Sequence, residues 1–128
     1  MCPSAQVIAV QAEKAPAAYL SWKMRRIVTD RMETVAEGLA TQVGYELTQE
    51  ILWDDLSDFI LVSEEEMTQA ILTYLELVRN LAEEAGAAPL AAALKIKERL
   101  KGKKVALVLS GGNISLERLK AVLSFKTN

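Results

Sequence analysis

The sequence predicts an α/β fold: a partial parallel sheet of about three strands, flanked by helices. Three observations predict it. Short apolar, β-branched runs alternate with segments of helical spacing. The runs are continuous rather than alternating, as expected of strands buried on both faces. Helix-capping residues stand where the runs end.

Gln6-Val7-Ile8-Ala9-Val10 is the first such run and reads as a buried strand. Tyr19, Leu20 and Met24 then share one side of a helix, and Pro16 is tolerated in its first turn. Residues 25–33 are charged and irregular. Thr34 to Gly44 reads as a loop with one helical turn. Thr48 is a candidate cap for a helix carrying Ile51, Leu52 and Leu56. Phe59-Ile60-Leu61-Val62 is the second strand candidate.

Ser63 and Glu66 have the spacing of a capping box, in which a hydroxyl and a carboxylate each satisfy an orphan amide. Met67, Ile71, Tyr74, Leu75, Val78, Leu81 and Ala82 recur at helical spacing, which predicts a long amphipathic helix ending near Gly86. A second, Ala-rich helix is predicted from Ala87 to Leu100. Gly102 breaks the chain. Val105-Ala106-Leu107-Val108-Leu109 is the third strand candidate, Ser110-Gly111-Gly112-Asn113 turns the chain, and Ser115 caps a last helix. So few strands make a meagre sheet, and a pairing partner outside the chain is expected.

The 128 residues suit one domain, and no repeat or linker marks a second. A formal charge of -2 gives no pull toward nucleic acid or an anionic membrane. Histidine is absent, which removes His-activated nucleophiles, His acid–base chemistry and His-ligated metals. The single cysteine, Cys2, forms no internal disulfide, and a reducing cytoplasm is the expected setting. No apolar run approaches the ~20 residues of a membrane span.

The Ser110–Asn113 turn is the best site candidate. Parallel sheets bind ligands beyond their strands' carboxyl ends, and a helix amino end favours anions. Two glycines let a ligand approach the main chain; the alternative is a tight turn needing positive φ. Asp54, Asp55, Asp58, Glu64, Glu65 and Glu66 lack the spacing of a calcium loop and read as capping and solvated charge, so no metal is expected. Glu83 either faces the turn or ends an exposed helix. Met24, Met32 and Met67 read as core filler or surface, and Trp22 and Trp53 as packing residues.

The order of segments resembles a known family. Val7–Gln11, then Thr34-Val35-Ala36-Glu37-Gly38-Leu39-Ala40, then DLSDFILVSEEE (55–66), then Glu83-Glu84-Ala85-Gly86-Ala87-Ala88, then Val108–Asn113, looks like the C-terminal part of a threonine dehydratase. That is the serine racemase-like group of fold-type II pyridoxal-phosphate enzymes, with the tryptophan synthase β-like large domain. The resemblance implies that Ser110 bonds the cofactor's pyridine nitrogen, that Gly111 and Gly112 continue this turn, that Gly38 lies beside the cofactor, and that Glu83 lies near the ring. It also implies a lyase reaction, in which threonine or serine loses water and then ammonia.

The departures matter as much. The family's cofactor-bearing lysine lies in a Ser-Phe-Lys motif, followed by a phosphate loop, and both are expected upstream of this stretch. Ser124-Phe125-Lys126 repeats that tripeptide without its Arg-Gly continuation, and reads as coincidence. Metal-binding members carry carboxylates where this chain has Gln11 and Ala17, and the family's Asp-Gly is Glu37-Gly38 here. The expectation is therefore a single partial domain over 1–128, inactive alone and binding pyridoxal phosphate not covalently, if at all. It would form a homo-oligomer, a dimer, or join a complementary N-terminal chain. The other reading is a stand-alone small-ligand-binding or self-assembling module.

Overall fold

The computed structural model describes residues 4–125, so Cys2 and Lys126 lie outside the described residues. Strand β1 (Val7–Ala12) pairs in parallel with β2 (Leu56–Val62). Ala9 sits opposite Phe59 and Ala12 opposite Val62, with an irregularity between Val7 and Ile8. A parallel pair needs a crossover. Helices α1 (Ala17–Met24) and α2 (Glu46–Asp55) supply it.

Pro16 is the N-cap of α1, where its missing amide costs nothing. Helix α2 starts at Glu46, ahead of the expected Thr48 cap, and Tyr45 is its N-cap without a side-chain bond. Both tryptophans pack between these helices. Trp22 Nε1 donates to the Leu52 carbonyl at 3.1 Å, and Trp53 Nε1 to the Ser21 carbonyl at 3.2 Å. Tyr19 and Trp22 meet Phe59 edge-on at 5.8 and 5.9 Å.

Helix α3 (Glu64–Thr73) opens on the complete capping box. Ser63 Oγ accepts from the Glu66 amide at 3.1 Å, and Glu66 Oε2 from the Ser63 amide at 2.8 Å. The helix does not run on to Gly86. It widens into a π turn (Tyr74–Val78) and stops at Arg79, which is left-handed at φ 59°. Leu77 and Val78 point away from the core, 78% and 59% exposed, so the periodic pattern had no surface to cover there. Helix α4 (Glu84–Lys95) then carries Gly86 in its interior and buries Ala87, Ala88, Ala91 and Ala92. The helix expected to reach Leu100 is in two pieces, α4 and α5 (Lys97–Leu100), parted at Ile96. Helix α6 (Leu116–Leu123) begins at the Ser115 cap, whose hydroxyl accepts from the Arg118 amide at 3.1 Å.

The sheet has two strands rather than three. Val105–Leu109 runs without helix, turn or bend, but no strand lies beside it. Apolar composition is a local property, whereas a strand exists only with a neighbour.

The core lies between the sheet, α3 and α4, and includes Ala12, Val62, Met67, Ile71 and Val122, all fully buried. Lys95 ties α4 to this layer through Glu13 at 3.2 Å and Glu66 at 3.0 Å. Burial pulls its pKa down, but the two carboxylates outweigh burial and raise it above the ordinary lysine value. Met67 is among the largest fully buried side chains. Met67→Ala is expected to cost about 3 kcal/mol of stability by transfer and cavity terms. Urea unfolding checks this, and an unchanged midpoint would contradict the packing described.

Candidate functional site

Three segments meet at the amino end of α4. The first is the loop carrying Gly38, which forms a 3-10 turn (Glu37–Leu39). It is pinned at several points. The Glu33 amide donates to the Lys14 carbonyl at 2.8 Å, and Thr34 Oγ1 donates to Glu64 Oε1 at 2.7 Å. Gln11 Nε2 donates to Thr41 Oγ1 at 2.9 Å, while Gln11 Oε1 accepts from the Tyr19 amide at 3.0 Å. Gln11 is thus a buried, neutral tie between β1, α1 and the loop, and Ala17 is fully buried. Among the described residues no group of His, Cys, Asp or Glu could hold a metal. The acidic run is dispersed: Asp58 pairs with Arg99 at 2.7 Å, Glu66 caps α3, and Asp54, Asp55 and Glu65 are exposed.

The second segment is the start of α4, with Glu83 as N-cap. The third is the Ser110–Asn113 turn. The Glu83 amide donates to the Gly111 carbonyl at 3.2 Å. A Cβ on Gly86 would collide with the Gly111 main chain, and one on Gly111 with the Glu83 carboxylate. A Cβ on Gly112 would fall 2.6 Å from the Leu81 carbonyl oxygen, and one on Gly38 would fall 2.9 Å from Ala85 Cβ. Among the described residues only Gly102 is a positive-φ glycine. The glycines at 111 and 112 therefore serve close approach between segments, not a left-handed turn.

The expected residues Gly38, Glu83, Gly111 and Gly112 thus converge, and Ser110 sits at the exposed rim. Its hydroxyl makes no hydrogen bond to a described residue and is free to pair with a ligand. A cleft of about 240 Å³ adjoins the turn, lined among others by Val35, Glu37, Glu83, Asn113, Ser115 and Arg118.

Sequence reasoning missed the pair that holds α6 against α4. Arg118 Nε donates to Glu84 Oε1, and Arg118 Nη2 reaches Thr68 Oγ1 at 3.4 Å. Glu84 is 5% exposed, so its charge is compensated chiefly by Arg118. Nothing local signals this pair, because its members lie on different helices.

The comparisons with known proteins agree with this architecture. The profile of the family described as pyridoxal-phosphate dependent enzyme matches residues 1–111. L-threonine ammonia-lyase of Thermotoga maritima is 39% identical over 127 residues, which is 97% of this chain and 31% of that protein. Serine racemase of Schizosaccharomyces pombe is 32% identical over 95% of this chain and 38% of its own length. Among solved structures, threonine deaminase isoform 2 of Solanum lycopersicum superposes with a TM-score of 0.85, at 27% identity, over 94% of this chain and 36% of that one. Maize serine racemase gives 0.83 at 26% identity, over 95% and 40%. The chain thus spans roughly a third of the length of the curated relatives it matches. Among the described residues, no helix is long and apolar enough to cross a membrane. With the matching profile covering most of its length, the chain belongs to the pyridoxal-phosphate dependent enzyme family.

Proposed function

We propose that this chain is the C-terminal part of a threonine or serine dehydratase domain that holds the pyridine end of pyridoxal phosphate. One observation carries the reading: the convergence of Gly38, Glu83, Gly111 and Gly112 on the turn whose Ser110 hydroxyl is free. These groups suit one end of the cofactor. A hydroxyl is a neutral partner for a ring nitrogen. Glu83 orients the turn through its amide and presents its carboxylate beside Gly111. When bound, the cofactor withdraws electrons from the substrate and so eases loss of the β-hydroxyl.

Covalent attachment is outside this reading. We place the whole of 1–128 in one partial domain, inactive by itself in a cytoplasmic setting, and active with a complementary N-terminal chain. The second reading, a self-assembling module, draws on the unpaired main chain of residues 104–110.

Titration with pyridoxal phosphate, followed by absorbance, tests the first reading. Saturable binding is expected, with affinity falling about tenfold in Ser110→Ala on loss of one ring hydrogen bond. Lysine adducts unaffected by the substitution would overturn it.

A further inference from the structure

Gln11 is the only polar side chain in β1, and it is 4% exposed. A polar group buried in a strand must find partners or destabilise the fold. Both ends of this amide are engaged. Oε1 accepts from the Tyr19 amide at 3.0 Å, and Nε2 donates to Thr41 Oγ1 at 2.9 Å. The first bond answers a need of α1. Its N-cap, Pro16, makes no side-chain bond, and Tyr19 is its third residue, whose amide has no partner within the helix. Gln11 supplies that acceptor from the neighbouring strand. The second bond reaches past α1 to the loop that carries Gly38. We propose that Gln11 is a positioning residue of the candidate site: it fixes the Gly38 loop to the carboxyl end of β1 by neutral hydrogen bonds, with no divalent cation in the joint.

The other ties of the loop do not do this. Its entry is held by the Glu33 amide on the Lys14 carbonyl and by Thr34 on Glu64. Beyond Thr41, the Asp30 amide donates to the Gln42 carbonyl at 3.0 Å and the Gly44 amide to the Val28 carbonyl at 3.3 Å. Those partners belong to another loop segment, whereas Gln11 joins the loop's exit to the sheet. Between entry and exit stands the 3-10 turn, closed by the Leu39 and Ala40 amides on the Ala36 and Glu37 carbonyls at 2.8 and 3.1 Å. The turn has little slack, since a Cβ on Gly38 would fall 2.9 Å from Ala85 Cβ. A shift at Thr41 is therefore felt at Gly38.

The joint does not suit a cation. Magnesium and calcium take oxygen ligands, chiefly carboxylates. Gln11 offers one side-chain oxygen, which the Tyr19 amide already uses, and a nitrogen that donates to Thr41. Ala17, the second position at which metal-binding members of the family carry a carboxylate, has no side-chain oxygen and is fully buried. The amide joins strand, helix and loop by itself. The tie stands apart from the cofactor reading; its part in binding rests on it.

Thr41→Val tests the tie, because it removes the loop's end of the bridge and leaves the Tyr19 bond in place. Hydrogen exchange at the Leu39 and Ala40 amides is expected to speed up about fivefold, with a shifted Gly38 amide resonance and a melting temperature close to that of the unmodified chain. Thr41→Ser, which keeps a hydroxyl, is expected to restore both. Gln11→Leu is expected to speed exchange at Tyr19 as well. Millimolar magnesium, set against a chelator, is expected to leave loop exchange unchanged. The Ser110-dependent affinity for pyridoxal phosphate is expected to fall about fivefold in Thr41→Val. Unchanged loop exchange in Thr41→Val, or no recovery in Thr41→Ser, overturns the proposal. So does loop protection that rises with magnesium, or an equal acceleration throughout α3 and α4, which would mark a general loss of stability. An unmodified chain without Ser110-dependent binding would contradict the cofactor reading alone, and binding indifferent to Thr41→Val would contradict the positioning role alone.

Discussion

Gly86→Ala is expected to unseat the Ser110–Asn113 turn and to destabilise the chain by about 3 kcal/mol, at the upper end of overpacking costs. The added Cβ would meet the Gly111 carbonyl and amide, which are main chain and have no rotamer to escape into. Either α4 or the turn must move, and the Glu83–Gly111 hydrogen bond joins the two. Gly102→Ala is the informative control. Gly102 has φ 76° with nothing near its missing Cβ, so strain alone applies, about 1 kcal/mol. Denaturant unfolding of both variants checks the contrast. Equal losses would mean that close approach at Gly86 does not hold the site together.

Arg118→Ala is expected to be comparably damaging. It strands the Glu84 carboxylate, which is buried among α3, α4 and α6. Removing one partner of a buried pair costs about 3–5 kcal/mol, and the partial exposure of Arg118 argues for the lower end. Adding Glu84→Gln to Arg118→Ala is expected to recover part of the loss, since a neutral amide is cheaper to bury than an unpaired charge. A double-mutant cycle measures the coupling. Additive losses would show that Glu84 and Arg118 do not act as a pair.

How legible the fold was depended on range. Strands at Val7 and Phe59 and the Ser63–Glu66 box were readable because composition and capping are local. The π turn was not, since Leu77 and Val78 continue the apolar period yet face away from the core. Val105–Leu109 has strand composition, but composition does not supply the neighbour a ladder requires. At the site, the Ser110 turn was visible from its glycines and from the order of segments around it. The reason for those glycines was not visible: it lies in Glu83, Gly86 and Leu81, which pack against them from another part of the chain. Arg118 with Glu84 escaped for the same reason.

The most direct measurement is amide chemical-shift mapping with 4-deoxypyridoxine 5-phosphate, which has the ring and phosphate of the cofactor but no aldehyde to react with lysines. Saturable shifts confined to Gly38, Glu83 and residues 110–113 are the predicted result. Shifts absent there, or scattered along the lysines of 95–104, would contradict a cofactor site on this chain.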